Sequence, residues 1–149
     1  MKKIVAVVVV AMLLSLPVVA ERSRVLLEIR PELPAITLNG TDFIYVQRGW
    51  MASPNEDGIY GFEEYGYKTF PPFARDCLGY RLLIDGDEVA PTRVRIFRDG
   101  VEWKAEWSFF FRPRTLPAGT YTFTGIHEHL QLDGTWSTWP FTREVTIEY

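Results

Sequence analysis

Cysteine, histidine and helical periodicity are what this chain has least of. Cys77 is the single cysteine in 149 residues, so no intrachain disulfide can form and the fold must be held by its core. The two histidines are His127 and His129, and a catalytic zinc site takes about three protein ligands; no third is spaced with them. Ser53, Ser108 and Ser137 lack a Gly-x-Ser-x-Gly elbow, and no glycine-rich phosphate loop leads into a helix. Excess positive charge is missing too. The net charge is −3, which argues against a nucleic-acid partner, because such binding depends on a basic surface that neutralises phosphates. Nor do apolar residues recur at helical spacing over several turns, so little or no helix is expected.

The first twenty residues differ from the rest. Lys2 and Lys3 precede an apolar run from Ile4 to Leu16, and Val18-Val19-Ala20 ends the segment. That is the pattern of a secretory signal peptide. A membrane-spanning helix needs about 20 apolar residues, and this run is shorter, ending in Pro17 before Glu21-Arg22. Cleavage after Ala20 would remove two of the sixteen basic residues and none of the nineteen acids, taking the net charge to −5. The expectation is one secreted or periplasmic domain over residues 21–149, with no transmembrane anchor.

What is abundant is alternation. From Thr92 to Arg112 apolar residues recur every second position, interrupted at Asp99-Gly100. An Asp-Gly pair between alternating runs predicts a two-residue hairpin. Arg98 then faces Val101, Ile96 faces Trp103, and Arg93 meets Glu106, although Arg95 falls against Lys104, which like-charge repulsion disfavours. Val101, Trp103, Ala105, Trp107, Phe109 and Phe111 form the inward face; Phe97 and Phe110 point outward and need a cover. A second hairpin is expected at Asp85-Gly86, and residues 141–149 alternate as a half-buried strand. The pattern predicts an all-β antiparallel sandwich of about seven to nine strands. Residues 52–79, rich in Gly, Pro and aromatics, break it as a long irregular insertion. Such loops are often functional, and this one is expected to cover Phe97 and Phe110.

Leu116 to Phe123 reads LPAGTYTF. Leu116, Gly119 and Tyr121 resemble the tyrosine corner of immunoglobulin-like and fibronectin type III sandwiches, in which a Tyr hydroxyl bonds back to upstream backbone. Phe123 stands where an antibody domain has its second cysteine, so the stretch resembles bacterial secreted immunoglobulin-like or fibronectin-like domains more than antibodies. The resemblance implies a fold and no activity. Gly119 to Thr122 is also similar to a bacterial proteinase-inhibitor sandwich family, which implies blocking a protease with an exposed loop.

Five Trp, seven Tyr and ten Phe exceed what one sandwich core accommodates. The surplus points to recognition, because Tyr and Trp combine apolar area with a polar tip. Tyr60, Tyr65, Tyr67, Trp136 and Trp139 are the expected ligand-binding residues, and the composition is similar to carbohydrate-binding modules. The function expected is an exported, non-catalytic binding or assembly module for an extracytoplasmic protein or carbohydrate, with no cofactor, metal ligand or catalytic residue assigned. Two alternatives stand beside it. One is the inhibitor; the other is a metal-dependent enzyme at His127 and His129, which share a strand face about 7 Å apart.

Overall fold

The period-two stretches become strands, and their apolar faces meet. A computed structural model describes residues 23–149, and the expected signal segment, residues 1–20, lies outside the described residues. The elements are β1 (Arg24–Leu26), β2 (Ile36–Asn39), β3 (Phe43–Ala52), α1 (Phe70–Cys77), β4 (Leu78–Ile84), β5 (Asp87–Val89), β6 (Arg93–Asp99), β7 (Glu102–Phe111), β8 (Gly119–Leu130) and β9 (Trp136–Glu148). They form two sheets, ordered β1-β3-β7-β6 and β2-β9-β8-β4-β5. Ile44, Val46 and Phe109 of the first pack against Tyr80, Leu82, Phe123, Val145 and Ile147 of the second, all buried. The architecture is thus a β-sandwich of nine strands.

The sheets are mixed, which corrects the antiparallel expectation. β1 runs parallel to β3, and β2 parallel to β9. The cause lies in the segment between β1 and β2, which passes from one sheet to the other and buries Leu27 and Ile29 on the way. Pro31 and Pro34 keep it out of either ladder. Arg143 of β9 holds it by donating from Nε to the Pro34 carbonyl at 2.8 Å and from Nη1 to the Glu28 carbonyl at 2.7 Å.

The hairpin register is shifted from the expected one. Asp99 pairs with Glu102, Arg98 with Trp103, Ile96 with Ala105 and Arg95 with Glu106. The loop is therefore Gly100-Val101, with φ +62° at Gly100, the position glycine takes in a type II′ loop. A shift of two leaves every side chain on its expected face and removes the like-charge clash: Arg95 Nη2 lies 3.0 Å from Glu106 Oε1. Val101 leaves the inward set and is exposed in the loop. At Asp85-Gly86 the turn forms as expected, both residues taking positive φ.

Residues 53–77 contain what the sequence reading omitted, a short 3₁₀ turn at Glu63–Tyr65 and the helix α1. Pro71 and Pro72 fall in its first turn, where a missing N–H costs nothing. Phe70, Phe73, Ala74 and Cys77, spaced for one helical face, are buried with Phe62, Leu78 and Ala105 in a second cluster. This segment therefore covers the inward residues Trp103 and Ala105. Phe97 and Phe110 are not under it; Arg95 lies over the Phe97 ring at 4.4 Å, and Phe110 packs on Phe43 and Tyr45. Among the described residues no helix is long and apolar enough to cross a membrane.

Candidate functional site

The end of the sandwich at which β3 finishes and β4 begins gathers three connections: residues 53–77, the 100–101 loop and the 131–135 loop. They touch. The Tyr60 hydroxyl donates to the Val101 carbonyl, and the Tyr65 ring lies 5.5 Å from His129 at the end of β8. Trp50, near the end of β3, joins the two sheets by donating from its indole N–H to the Gly79 carbonyl at 2.9 Å. Its ring is surrounded by His127 at 5.6 Å, His129 at 5.7 Å and Trp139 at 5.9 Å. A cavity of about 360 Å³ opens beside it, bordered by Arg48, Gly49, Met51, Lys104 and Glu106.

The expected site residues separate into three groups. Tyr60, Tyr65 and Tyr67 are half-buried and serve the second cluster: Tyr60 stacks on Phe62 at 5.6 Å, Tyr65 lies 5.2 Å from Phe73, and Tyr67 lies 5.9 Å from it. The Tyr67 hydroxyl donates to Asp76 Oδ2 at 2.7 Å, and that carboxylate, with burial adding to it, pushes the phenol up to about 12. Trp139 is 43% exposed and Trp136 49%, but they are not one surface. Both lie in β9 in an unbroken ladder with β8, and residues three apart in a strand face opposite ways. Trp139, opposite His127, shares the face that Trp50 packs on. Trp136, opposite Leu130, points away.

Trp50 is the residue the sequence reading passed over. Ile44, Val46 and Arg48 mark the inward face of β3, and Trp50 is the next member of that series. The alternation was itself the signal.

His127 and His129 do share a face, as their spacing requires, but aromatic rings fill the space a metal would need. His127 lies 4.8 Å from Tyr80 and 6.3 Å from Phe141, and His129 lies 6.0 Å from Phe73. Among the described residues no three His, Cys, Asp or Glu side chains come together as a ligand set. Burial holds the His127 imidazole below its ordinary value of 6.5; the Arg48 charge lowers it further, and a hydrogen bond to the Gly49 backbone partly offsets both. Burial alone lowers His129. Both rings are therefore neutral at pH 7.

The sign of the pH dependence follows. A depressed folded-state value means the unfolded chain binds more protons over the interval, so this contribution is complete above about pH 6.5 and is lost as pH falls through the folded values. Urea midpoints at pH 7.5 and pH 5 are expected to show the acid loss, and His127→Gln is expected to shrink it. An unchanged loss in that variant would remove His127 as its source. Cys77 is free and buried, with burial raising its thiol, so it is an inert core residue.

No family model matches the chain, and no curated protein matches its sequence. Among solved structures the chain is similar to a cysteine protease inhibitor from Entamoeba histolytica, with 14% identity and a TM-score of 0.46 over 86% of this chain and 98% of that one.

Proposed function

We propose that the chain is an exported, non-catalytic binding module of immunoglobulin-like build that recognises an extracytoplasmic protein with its three-loop end. The observation that carries this reading is Trp139: a large ring, 43% exposed, on a strand and backed by Trp50 and the neutral histidines. An aromatic anchor on a rigid support loses little entropy on binding, which is how interface hot spots work. Leu132 in the adjoining loop and Met51 at the end of β3 are exposed as well. A protein ligand is favoured over a sugar, because Trp50 and Trp139 meet at 67° and Trp136 faces the other way, so these three rings form no shared platform for a sugar chain. The Tyr121 hydroxyl, donating to the Pro117 carbonyl at 2.8 Å, supports the immunoglobulin-like build.

The test is capture of envelope and secreted proteins on immobilised domain, with a glycan array in parallel. Trp139→Ala is expected to weaken the captured complex at least about tenfold, in the hot-spot range, and Trp136→Ala to change it little. A partner indifferent to Trp139, or a glycan bound through it, would defeat the reading.

An inhibitor is a second form of such a module, and one observation favours it. Asn55 pins the 55–59 loop: its side-chain oxygen accepts from the Asp57 N–H at 3.0 Å and the Ile59 N–H at 2.8 Å, and its own N–H donates to the Ile59 carbonyl at 2.9 Å. Ile59 is presented at 54% exposure on a loop already ordered for insertion into a cleft. A protease panel with Ile59→Asp as the comparison separates this form: inhibition lost in the variant supports it, and no inhibition by either protein removes it.

A further inference from the structure

We propose that the outer face of the four-stranded sheet, at the end of β3 remote from Trp50, is a second binding surface, and that its ligand is an acidic peptide segment. Outward positions on a half-buried strand are ordinarily polar. Here alternation turns Phe43, Tyr45 and Gln47 outward on β3, with Phe110 across from Tyr45 on β7. With Arg24 and Arg93 they line a cavity of about 410 Å³.

Charge identifies the ligand. Among the described residues two guanidinium groups and no carboxylate border this cavity, in a chain of net charge −3. Arg24 lies over the Phe43 ring at 5.9 Å and Arg93 over the Phe110 ring at 5.6 Å, contacts that orient each fork without using its N–H donors. Among the described residues neither has an ion-pair partner, whereas Arg95, two positions along β6, is matched by Glu106. Forks held this way suit carboxylates, which they bind in bidentate fashion. Ser108 pairs with both Gln47 and Arg93 in the ladders; it is 1% exposed and its hydroxyl has no partner among the described residues. That hydroxyl lies at the Arg93 end of the face, under the sheet surface and outside the cavity lining.

The shape selects a peptide. Phe110 meets Phe43 at 47° and Tyr45 at 72°, so the floor is an angled recess suited to an apolar side chain, with Phe110 coplanar with neither neighbour. A segment with acidic residues on either side of an aromatic or aliphatic one satisfies floor and rim together.

The probe is the blocked peptide acetyl-Glu-Phe-Glu-Leu-Glu-amide, titrated into isotopically labelled protein and followed by NMR. Saturable shifts of the Arg24 and Arg93 side-chain N–H signals are expected, weakening as salt is raised. The same peptide with Lys for Glu is expected to move nothing. Arg24→Gln with Arg93→Gln, both exposed positions, is expected to weaken binding at least tenfold while amide signals elsewhere stay in place. Absent shifts, equal binding by the double variant, or equal binding of the Lys peptide would overturn the proposal. So would a linear oligogalacturonate that binds more tightly than the peptide, since it carries carboxylates and no side chain for the recess.

Discussion

Gly49→Ala is expected to lose roughly 3 kcal/mol or more of stability, at the upper end of what overpacking costs, with a fall in Tm on the order of 10 °C. A Cβ at Gly49 would lie 1.8 Å from the Ala105 carbonyl oxygen, 2.8 Å from its carbon and 2.9 Å from the Glu106 Cα. All three belong to the backbone of β7, the central partner of β3. No rotamer change can clear them; the two strands must part. Gly79 and Gly125 calibrate the result. At Gly125 the obstacle is the Tyr80 hydroxyl at 2.1 Å with its ring carbon at 3.0 Å, a buried side chain. Gly125→Ala is therefore expected to be costly alone and partly rescued by Tyr80→Phe. At Gly79 the nearest atom is the Glu128 carboxylate at 3.1 Å, the end of a flexible chain, so Ala there is expected to cost under about 1 kcal/mol, within the usual surface range. Chemical denaturation of the three variants checks the order. Gly49→Ala within about 1 kcal/mol of the parent would mean that β3 and β7 do not pair in this register.

The same ladder shows what could be read from the sequence. Faces were legible because a strand has a period of two, so an error of two in the β6–β7 register leaves each ring on its proper side. Register itself was less legible. The Asp99-Gly100 signal fixes that a turn occurs but not which residue occupies its first position, and the Arg95–Lys104 clash was the cue that the pairing had to slide. The parallel partners of β1 and β2 left no cue, since edge pairing between distant segments has no turn to announce it. In α1 the information was present and outweighed. Phe70, Phe73, Ala74 and Cys77 carry the helical spacing, but eight residues give too short a window, and Pro71-Pro72 reads as a break unless it is placed in a first turn.

At the candidate site the aromatic residues expected from the sequence divide between two structural roles. Tyr60, Tyr65 and Tyr67 stand among loop residues in the sequence, yet Phe62, Phe70 and Phe73 draw them into a second core. Which rings stay in water depends on contacts between segments far apart in the chain. Composition cannot report that. Trp136 and Trp139 were separable in principle, because their spacing of three settles their faces once residue 136 is known to lie inside the strand.

Trp50 is where fold and site coincide, and its removal is the second large effect expected. Trp50→Ala deletes the ring that His127, His129 and Trp139 pack on; a fully buried Trp truncated to Ala costs about 3–5 kcal/mol, and the partly buried Trp50 is expected at the lower end of that range. It also deletes the indole N–H that reaches the Gly79 carbonyl across the two sheets. Trp50→Phe separates the two contributions: it keeps most of the apolar contact and leaves that carbonyl without its donor, at a cost of about 1–3 kcal/mol. The histidines supply a readout that general loosening would not mimic. Their depressed values come chiefly from burial, and Trp50 lies against both rings. With Ala at 50, water reaches them, their values return toward 6.5, and the acid loss of stability between pH 7.5 and pH 5 should shrink in proportion. Trp50→Phe should retain most of it. Histidine titrations by NMR in parent and Phe variant, with urea midpoints for all three proteins, test both halves. If Trp50→Phe matches the parent in stability, the indole does not join the sheets; if the Ala variant keeps the full acid loss, something other than the Trp50 ring keeps water from the histidines.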